Sequence, residues 1–271
     1  VTNMIVDVLE KNGYIFASNR MGGNVDTGIT TALIKESTLS GKARKKLAVL
    51  EIDERSANRI YPYLTPTYLV CTNLFRDSAK RNAHQVLNTY IPAQTKMILN
   101  GDDLISGRLA PDNERVYFGI EPQPDEVPIT DNIINDMAAC PLCDHPMVYD
   151  FVRYNHIGRA HCSHCDFGSP AVDYDVTAVD RDARLVTMRT PSGEESYHLV
   201  GNNITDLYNT AAAVALLREF GMSAQTLAAS FETMQIVKTR FDEETVGGKT
   251  IIDNLAKGQN PIACSRVFDF V

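Results

Sequence analysis

No stretch of this 271-residue chain stays apolar long enough to cross a membrane. Its first residues, Val1 to Leu9, are amphipathic rather than a basic segment followed by an apolar block, so they are not expected to act as a secretory leader. Positive charge is in deficit: 26 Lys and Arg stand against 34 Asp and Glu, a net charge of −8. That argues against a general nucleic-acid binder, which needs a basic face, and leaves room only for a local basic patch. There is no internal repeat and no low-complexity tract. Of the six cysteines, Cys71 and Cys264 show no pairing logic, and Cys71, in the apolar run Tyr68 to Cys71, reads as a small core residue. The expected compartment is cytoplasmic. The rest is ordinary for a globular protein: 44% apolar and 22% charged, at a length that suits one large domain or two smaller ones.

The other four cysteines are not scattered. Cys140-Pro141-Leu142-Cys143 is separated by 18 residues from Cys162-Ser163-His164-Cys165. Two C-x-x-C knuckles at this separation have the spacing of a structural zinc site. Each knuckle can aim two sulfurs at one point, and the intervening segment is long enough for a hairpin that brings the pairs together. Zinc takes four such ligands tetrahedrally and has no position left for a substrate. Two disulfides or four unrelated buried thiols are the alternatives; the tight spacing and the rarity of cytosolic disulfides weigh against them. His145, His161 and His164 stand beside the knuckles and could replace a sulfur, but solvated loop histidines are the default expectation.

Along the chain, short apolar runs alternate with helical patterns. Val1, Met4, Ile5, Val8 and Leu9 recur at helical spacing, with Gly13 as a stop signal. Strand candidates follow at Tyr14 to Ser18, Lys46 to Ile52, Thr67 to Cys71, Lys96 to Asn100 and Val116 to Ile120, with helical stretches at Thr30 to Ile34 and about Asp77 to Leu87. This alternation predicts a parallel sheet covered on both faces. Pro122, Pro124, Asp125 and Pro128 suggest a linker over residues 121–135. Val172 to Val176 and Arg184 to Met188 read as half-buried strands, the second antiparallel, with a turn at Thr190 to Gly193 before a strand up to Leu199. A long Ala- and Leu-rich helix spans Asn203 to Phe220 and ends at Gly221, and Ser223 is placed to cap another reaching Met234.

Ligands of open α/β sheets bind at the carboxyl ends of the strands. Glu51-Ile52-Asp53-Glu54 follows one predicted strand, Thr72-Asn73-Leu74-Phe75-Arg76-Asp77 the next, and Asn100-Gly101-Asp102-Asp103 the third. A carboxylate at such an end can hold magnesium beside nucleotide phosphates. For Asp102-Asp103, capping of a local helix is an equally good reading.

These residues also resemble a known family. Asn73-Leu74-x-x-Asp77, Asn100-x-Asp102-Asp103 and Tyr208-Asn209-x-x-Ala212-Ala213 are similar to three motifs of the Mur ligases. A four-cysteine ribbon inserted in the central domain resembles the branch of that family that amidates lipid II, as do Asn19-Arg20-x-Gly22-x-Asn24, Glu51 to Glu54 and, more loosely, Thr239-Arg240-Phe241. The resemblance implies an α/β fold: a Mur ligase central domain, doubly wound with a mostly parallel sheet, and an inserted zinc ribbon. Residues 1–135 would form its first part, 136–200 the ribbon insertion and antiparallel strands, 201–250 its helical second part, and 251–271 the start of a C-terminal domain.

The implied activity is ATP-dependent amidation of the D-glutamate α-carboxylate of lipid II to D-isoglutamine in peptidoglycan synthesis, with ammonia from a GatD-type glutaminase partner. Lipid II would be met at the inner membrane face. Glu51, then Asp53, would contact magnesium; Asn209 would lie toward the adenine of ATP and Arg240 toward its ring or ribose. Asn73 and Asp77 would face the reacting centre, and Cys140, Cys143, Cys162 and Cys165 would hold structural zinc. The family carries a Gly-x-x-Gly-Lys-Thr phosphate loop before its first helix. Here Val1 already lies on that helix, and Gly258-Gln259-Asn260-Pro261 stands where Asn-Pro-Ala-Gly is usual. The expectation is a chain truncated at both ends and inactive alone. Two other readings stand beside this one: a Mur-type ligase that adds an amino acid, and a catalytically dead zinc-ribbon interaction module.

Overall fold

Apolar residues at helical spacing make Thr2–Lys11 an amphipathic helix, α1, that buries Ile5, Val8 and Leu9. Gly13 ends it at φ +76°, with its N–H on the Glu10 carbonyl and the Tyr14 N–H on that of Leu9. This is a Schellman closure, which needs the left-handed conformation that glycine adopts without strain. The computed structural model describes residues 1–20, 23–74, 83–124, 126–129, 137–201, 203–234, 241–247 and 249–254.

After α1 come β1 (Phe16–Ser18), α2 (Asp26–Lys35), β2 (Leu47–Val49), the short α3 (Ala57–Ile60), β3 (Tyr68–Cys71), α4 (Ala83–Tyr90), β4 (Lys96–Asn100) and β5 (Arg115–Ile120). A hairpin of β6 (Met147–Tyr154) and β7 (Ile157–Cys162) follows, then β8 (Tyr174–Asp180), β9 (Leu185–Thr190), β10 (Gly193–His198), α5 (Ile204–Glu219) and α6 (Ala224–Glu232). Asn203 and Ser223 cap the last two helices, accepting from the N–H of Asp206 and Thr226. Gly221, at φ +98°, closes α5 in the same way as Gly13 closes α1.

The main sheet has six strands in the order β10-β9-β8-β5-β4-β3. β3, β4, β5 and β8 run parallel, and β9 and β10 extend the sheet antiparallel. The antiparallel strands expected near the ribbon thus belong to the main sheet. β1 and β2 form a separate parallel pair, Phe16 opposite Leu47.

Alternation along the strands sends side chains to two layers. Ile98, Phe118 and Ile120 meet α1, α5 and α6 through Val8, Val214 and Phe231. Met97 and Leu99 meet α2, α3 and α4 through Ile29, Ile60 and Leu87. The sheet is therefore covered on both faces. A third small core of Leu104, Met137, Cys140, Tyr149, Cys162 and Phe167 fills the ribbon.

Residues 1–234 form one compact unit and 235–271 a second. The described part of the second is an antiparallel hairpin of β11 (Phe241–Val246) and β12 (Lys249–Asn254). Among the described residues, no helix is long and apolar enough to cross a membrane.

Candidate functional site

The four knuckle cysteines converge. Their Sγ atoms all lie within 4.8 Å of one another, with Cys140–Cys165 at 3.6 Å, Cys143–Cys162 at 3.4 Å and Cys143–Cys165 at 3.5 Å. A disulfide would bring sulfurs to about 2.05 Å, whereas four thiolates about 2.3 Å from a tetrahedral zinc stand about 3.8 Å apart. The set therefore fits a metal ion and not two disulfides. Main-chain N–H groups of Leu142, His164 and Cys165 point at the sulfurs of Cys140 and Cys162. Burial opposes ionisation of Cys162, but the Cys165 and His164 N–H groups and the neighbouring thiols outweigh it and bring its pKa to about 6. None of the three histidines beside the knuckles joins the four sulfurs. His145 and His164 stack on each other, 4.0 Å apart, and His161 faces Asp150 at 3.6 Å; all three are exposed.

At the carboxyl ends of β1 and β2, buried Asn19 binds both main-chain groups of Glu51. Its Nδ2 donates to the Glu51 carbonyl at 2.7 Å, and its Oδ1 accepts from the Glu51 N–H at 2.9 Å. The exposed Glu51 carboxylate is thus carried on a fixed backbone. Asp53 is arranged differently. It caps the short turn Glu54–Ser56 and takes a fork of two 2.7 Å bonds from Arg55, so its carboxylate is already engaged. Asp53 therefore suits a magnesium contact less well than Glu51.

The ends of β3 and β4 interlock. Asn100 donates to the Thr72 carbonyl at 2.9 Å and accepts from the Asp102 N–H at 3.0 Å. Asp103 accepts from the Leu74 N–H at 2.9 Å and from the N–H groups of Ile105 and Ser106 at 2.8 and 3.1 Å. Asn73 sits between the two residues held by this motif. Cys71, below it, is packed in the second core; burial, with Asp103 and Glu54 nearby, pushes its thiol pKa up.

Neither Asp102 nor Asp103 is exposed. Asp102 Oδ2 accepts from Arg153 at 2.7 Å, from the Tyr208 hydroxyl at 2.8 Å and from the Ile120 N–H at 3.0 Å; its Oδ1 accepts from Arg159 Nε at 2.9 Å. His156 Nε2 lies 3.0 Å from Asp103 Oδ1. Arg159 also clasps Asp175 at 2.8 and 2.9 Å, and Arg153 reaches Glu126 and the carbonyls of Ile120 and Glu121. Arg153, His156 and Arg159 all come from the β6–β7 hairpin. Burial works against the Arg153 charge, but Tyr208, Asp102 and Glu126 outweigh it and push its pKa up; Arg159 follows the same pattern through Asp102 and Asp175. Burial, with the charges of Asp102 and Glu121 nearby, raises Asp175 against the pull of Arg159, and burial together with Asp102 raises Tyr208. Glu126, in the expected linker, is tied to this network, and the Val152 N–H donates to Val127 at 2.9 Å.

The structure thus brings Asn73 together with Asn100, Asp102, Asp103 and Tyr208. Asn209 is half-buried, one residue beyond Tyr208, with no side-chain hydrogen bond among the described residues. Asp77 and Arg240 lie outside the described residues, as does Cys264. Sequence reasoning missed Arg153, His156, Arg159 and Asp175. The pattern of Arg153-Tyr154-Asn155-His156 gives no sign of burial, and the Asp102 and Asp103 carboxylates that Arg153, His156 and Arg159 meet lie 51, 53 and 57 residues away.

No family model matches the chain. It is 31% identical over 263 residues to the lipid II isoglutaminyl synthase (glutamine-hydrolyzing) subunit MurT of Staphylococcus aureus strain COL, covering 94% of this chain and 58% of the relative. It is 28% identical over 279 residues to the MurT subunit of Streptococcus pneumoniae R6, covering 100% of this chain and 61% of the relative. The chain therefore spans less than two thirds of the length of these curated relatives. Among solved structures, a pseudomurein peptide ligase type C from Methanothermus fervidus superposes with a TM-score of 0.72 at 20% identity, over 94% of this chain and 50% of that one. MurF ligase from Thermotoga maritima in complex with ADP does so with a TM-score of 0.53 at 16% identity, over 99% and 53%. The fold is that of the Mur ligases, and the chain is similar to MurT subunits over nearly all of its length.

Proposed function

We propose that this chain belongs to a ligase subunit that amidates the D-glutamate α-carboxylate of lipid II with ATP, using ammonia from a GatD-type glutaminase partner. The observation that carries the reading is the similarity to MurT subunits across 94% of the chain. The convergent cysteines and the interlocked strand ends agree with it. The fold relative in complex with ADP supports an adenine nucleotide as the co-substrate.

A carboxylate is a poor electrophile until one of its oxygens can leave as phosphate. Phosphoryl transfer to the D-glutamate carboxylate gives an acyl phosphate and ADP. Ammonia then attacks the acyl carbon, the C–O bond to phosphate breaks, and the amide forms with loss of a proton. Little of this needs covalent help from the protein; positioning and charge control carry it. Glu51, exposed on a backbone pinned by Asn19, is the carboxylate suited to hold magnesium. When bound, that ion screens the charge on the transferred phosphoryl group. Asn73 lies on the acceptor side and Asn209 toward the adenine; Asp77 and Arg240, outside the described residues, are assigned to the reacting centre and the nucleotide by the resemblance to the Mur ligases alone. Cys140, Cys143, Cys162 and Cys165 would hold zinc in a closed, structural site.

The test uses the full-length protein with lipid II, ATP and glutamine, with and without the glutaminase. Mass spectrometry should find a hydroxyl replaced by an amino group, only with the partner present. A product heavier by a whole amino-acid residue would move the assignment to an amino-acid ligase. Glu51→Ala should lower turnover by about two orders of magnitude or more, with zinc content and partner binding unchanged.

A further inference from the structure

We propose that the ribbon hairpin is a positioning element for the reactive edge. Arg153, His156 and Arg159 hold Asp102 and Asp103, and through them fix both Asn73 and Asn209. The proposal deepens the ligase reading above and rests on it for the roles of those two asparagines.

The connections run in two directions from one pair of carboxylates. Toward the acceptor side, Asp103 takes the Leu74 N–H at 2.9 Å, and Asn100, itself bonded to the Asp102 N–H, holds the Thr72 carbonyl at 2.9 Å. Asn73 is therefore pinned through both neighbours. Toward the nucleotide side, the Tyr208 hydroxyl donates to Asp102 at 2.8 Å and accepts from Arg153 at 2.6 Å. That fixes the turn of α5 that carries Asn209. The hairpin closes the assembly from outside the sheet. The Gly158 N–H donates to the Asp102 carbonyl at 2.8 Å, and a Cβ on Gly158 would overlap the Phe151 carbonyl, so only glycine lets β6 and β7 approach there.

The same hairpin carries the metal knuckle. Cys162 ends β7, three residues after Arg159 and opposite Met147 at the start of β6. The thiolate centre and the arginine clamp are thus two ends of one ribbon. Burying this many charges is a poor route to stability alone, because apolar packing of similar volume usually serves as well or better. The side chains of Arg153 and Asp102 are 2% and 0% exposed. Their forked, directional contacts instead set the relative placement of two loops and a helix, the property a two-substrate site needs.

Arg153→Met is tested in the full-length protein with its glutaminase partner, against Arg108→Ala. Arg108 binds the ribbon at the Gly168 carbonyl and over Phe167 but does not touch the carboxylate pair. The readout is ADP released per amide formed. Arg153→Met should raise this ratio several-fold and lower amide turnover by about a hundredfold, with bound zinc unchanged, while Arg108→Ala leaves the ratio as in the wild type. A merely structural role would lower both products in proportion and leave the ratio unchanged. The second arm is hydrogen exchange on the wild-type protein before and after zinc is stripped with a chelator. Amides of Leu74, Ile105, Ser106 and Ile120 should exchange about tenfold faster or more, with α1 unchanged. Unchanged protection at those four amides, or an unchanged ratio in a folded Arg153→Met protein, overturns the proposal. If Arg153→Met does not fold, the exchange arm decides alone. Absence of amide from the wild-type complex would refute the ligase reading instead, and the exchange arm would still judge the clamp.

Discussion

Asp102 gives the sharpest stability test of the clamp. It is fully buried and accepts four hydrogen bonds, three on Oδ2 and one on Oδ1. Asp102→Ala removes the carboxylate that bridges Arg153 and Arg159, but neither arginine is stranded. Arg159 keeps Asp175, and Arg153 keeps Glu126 and the carbonyls of Ile120 and Glu121. The expected loss is therefore near the lower end of the range for breaking a buried ion pair, about 3 kcal/mol. Asp102→Asn keeps the volume. Its oxygen can serve the three donors at Oδ2, but its amide then meets Arg159 Nε, donor against donor. That should cost about 2 kcal/mol. The assay is urea unfolding near pH 7, with Asp182→Asn as an exposed control expected to stay within about 0.5 kcal/mol of the parent. Equal slopes are needed to read midpoints as stability. If both Asp102 variants matched the control, the buried network would not be holding the hairpin on the sheet, and the reasoning would fail.

The purified protein should hold close to one zinc per chain by elemental analysis, and Cys143→Ser should abolish it; a metal-free, disulfide-linked protein would refute the reading of the four sulfurs. Glu219 meets Lys96 at 2.7 Å and the Tyr174 hydroxyl at 2.6 Å; burial opposes its charge, but those partners hold its pKa below the ordinary 4.5. A depressed carboxylate stabilises the fold above its unfolded pKa and loses that contribution as pH falls through the folded value. Glu219→Gln should thus cost about 1 kcal/mol at pH 7, and the difference from wild type should vanish in acid; a difference that persisted at pH 2 would contradict the assignment. Ser223→Ala removes the Oγ that accepts the Thr226 N–H at 3.1 Å and should destabilise the protein by about 1 kcal/mol in thermal unfolding, with Ser223→Asp close to neutral.

Much of the fold was legible because local chemistry and tertiary role agreed. Apolar periodicity and Gly13 marked α1, and Asn203 and Gly221 bounded α5, since capping needs only neighbouring residues. Strands β3 to β5 were visible as short apolar runs because both their faces are covered. The pairing of β8 beside β5 was not visible. It follows the ribbon, and nothing local in Tyr174 to Asp180 says which earlier strand it will join. The cysteine knuckles were the clearest signal, since metal geometry constrains both residue type and spacing.

Of the two readings left level for Asp102 and Asp103, the local cap holds for Asp103, and its carboxylate does more than cap. Asp103 Oδ1 does cap a turn, through Ile105 and Ser106, while its Oδ2 takes the Leu74 N–H from the neighbouring strand end. A carboxylate has about four acceptor sites, so one side chain can close its own loop and fix another. Asp102 uses the same capacity on ribbon, sheet and helix at once. Local pattern reveals only the contacts made within a few residues, those of Asp103 with Ile105 and Ser106. The ion pairs depend on Arg153 and Arg159, which are long and flexible, and a sequence gives them a solvated surface as the default. Only a surrounding array of acceptors makes their burial affordable: Asp102, Asp175, Glu126 and the strand-end carbonyls. The acid motif could be read before the structure because it is compact in sequence. Its counter-charges could not, because the sheet assembles them.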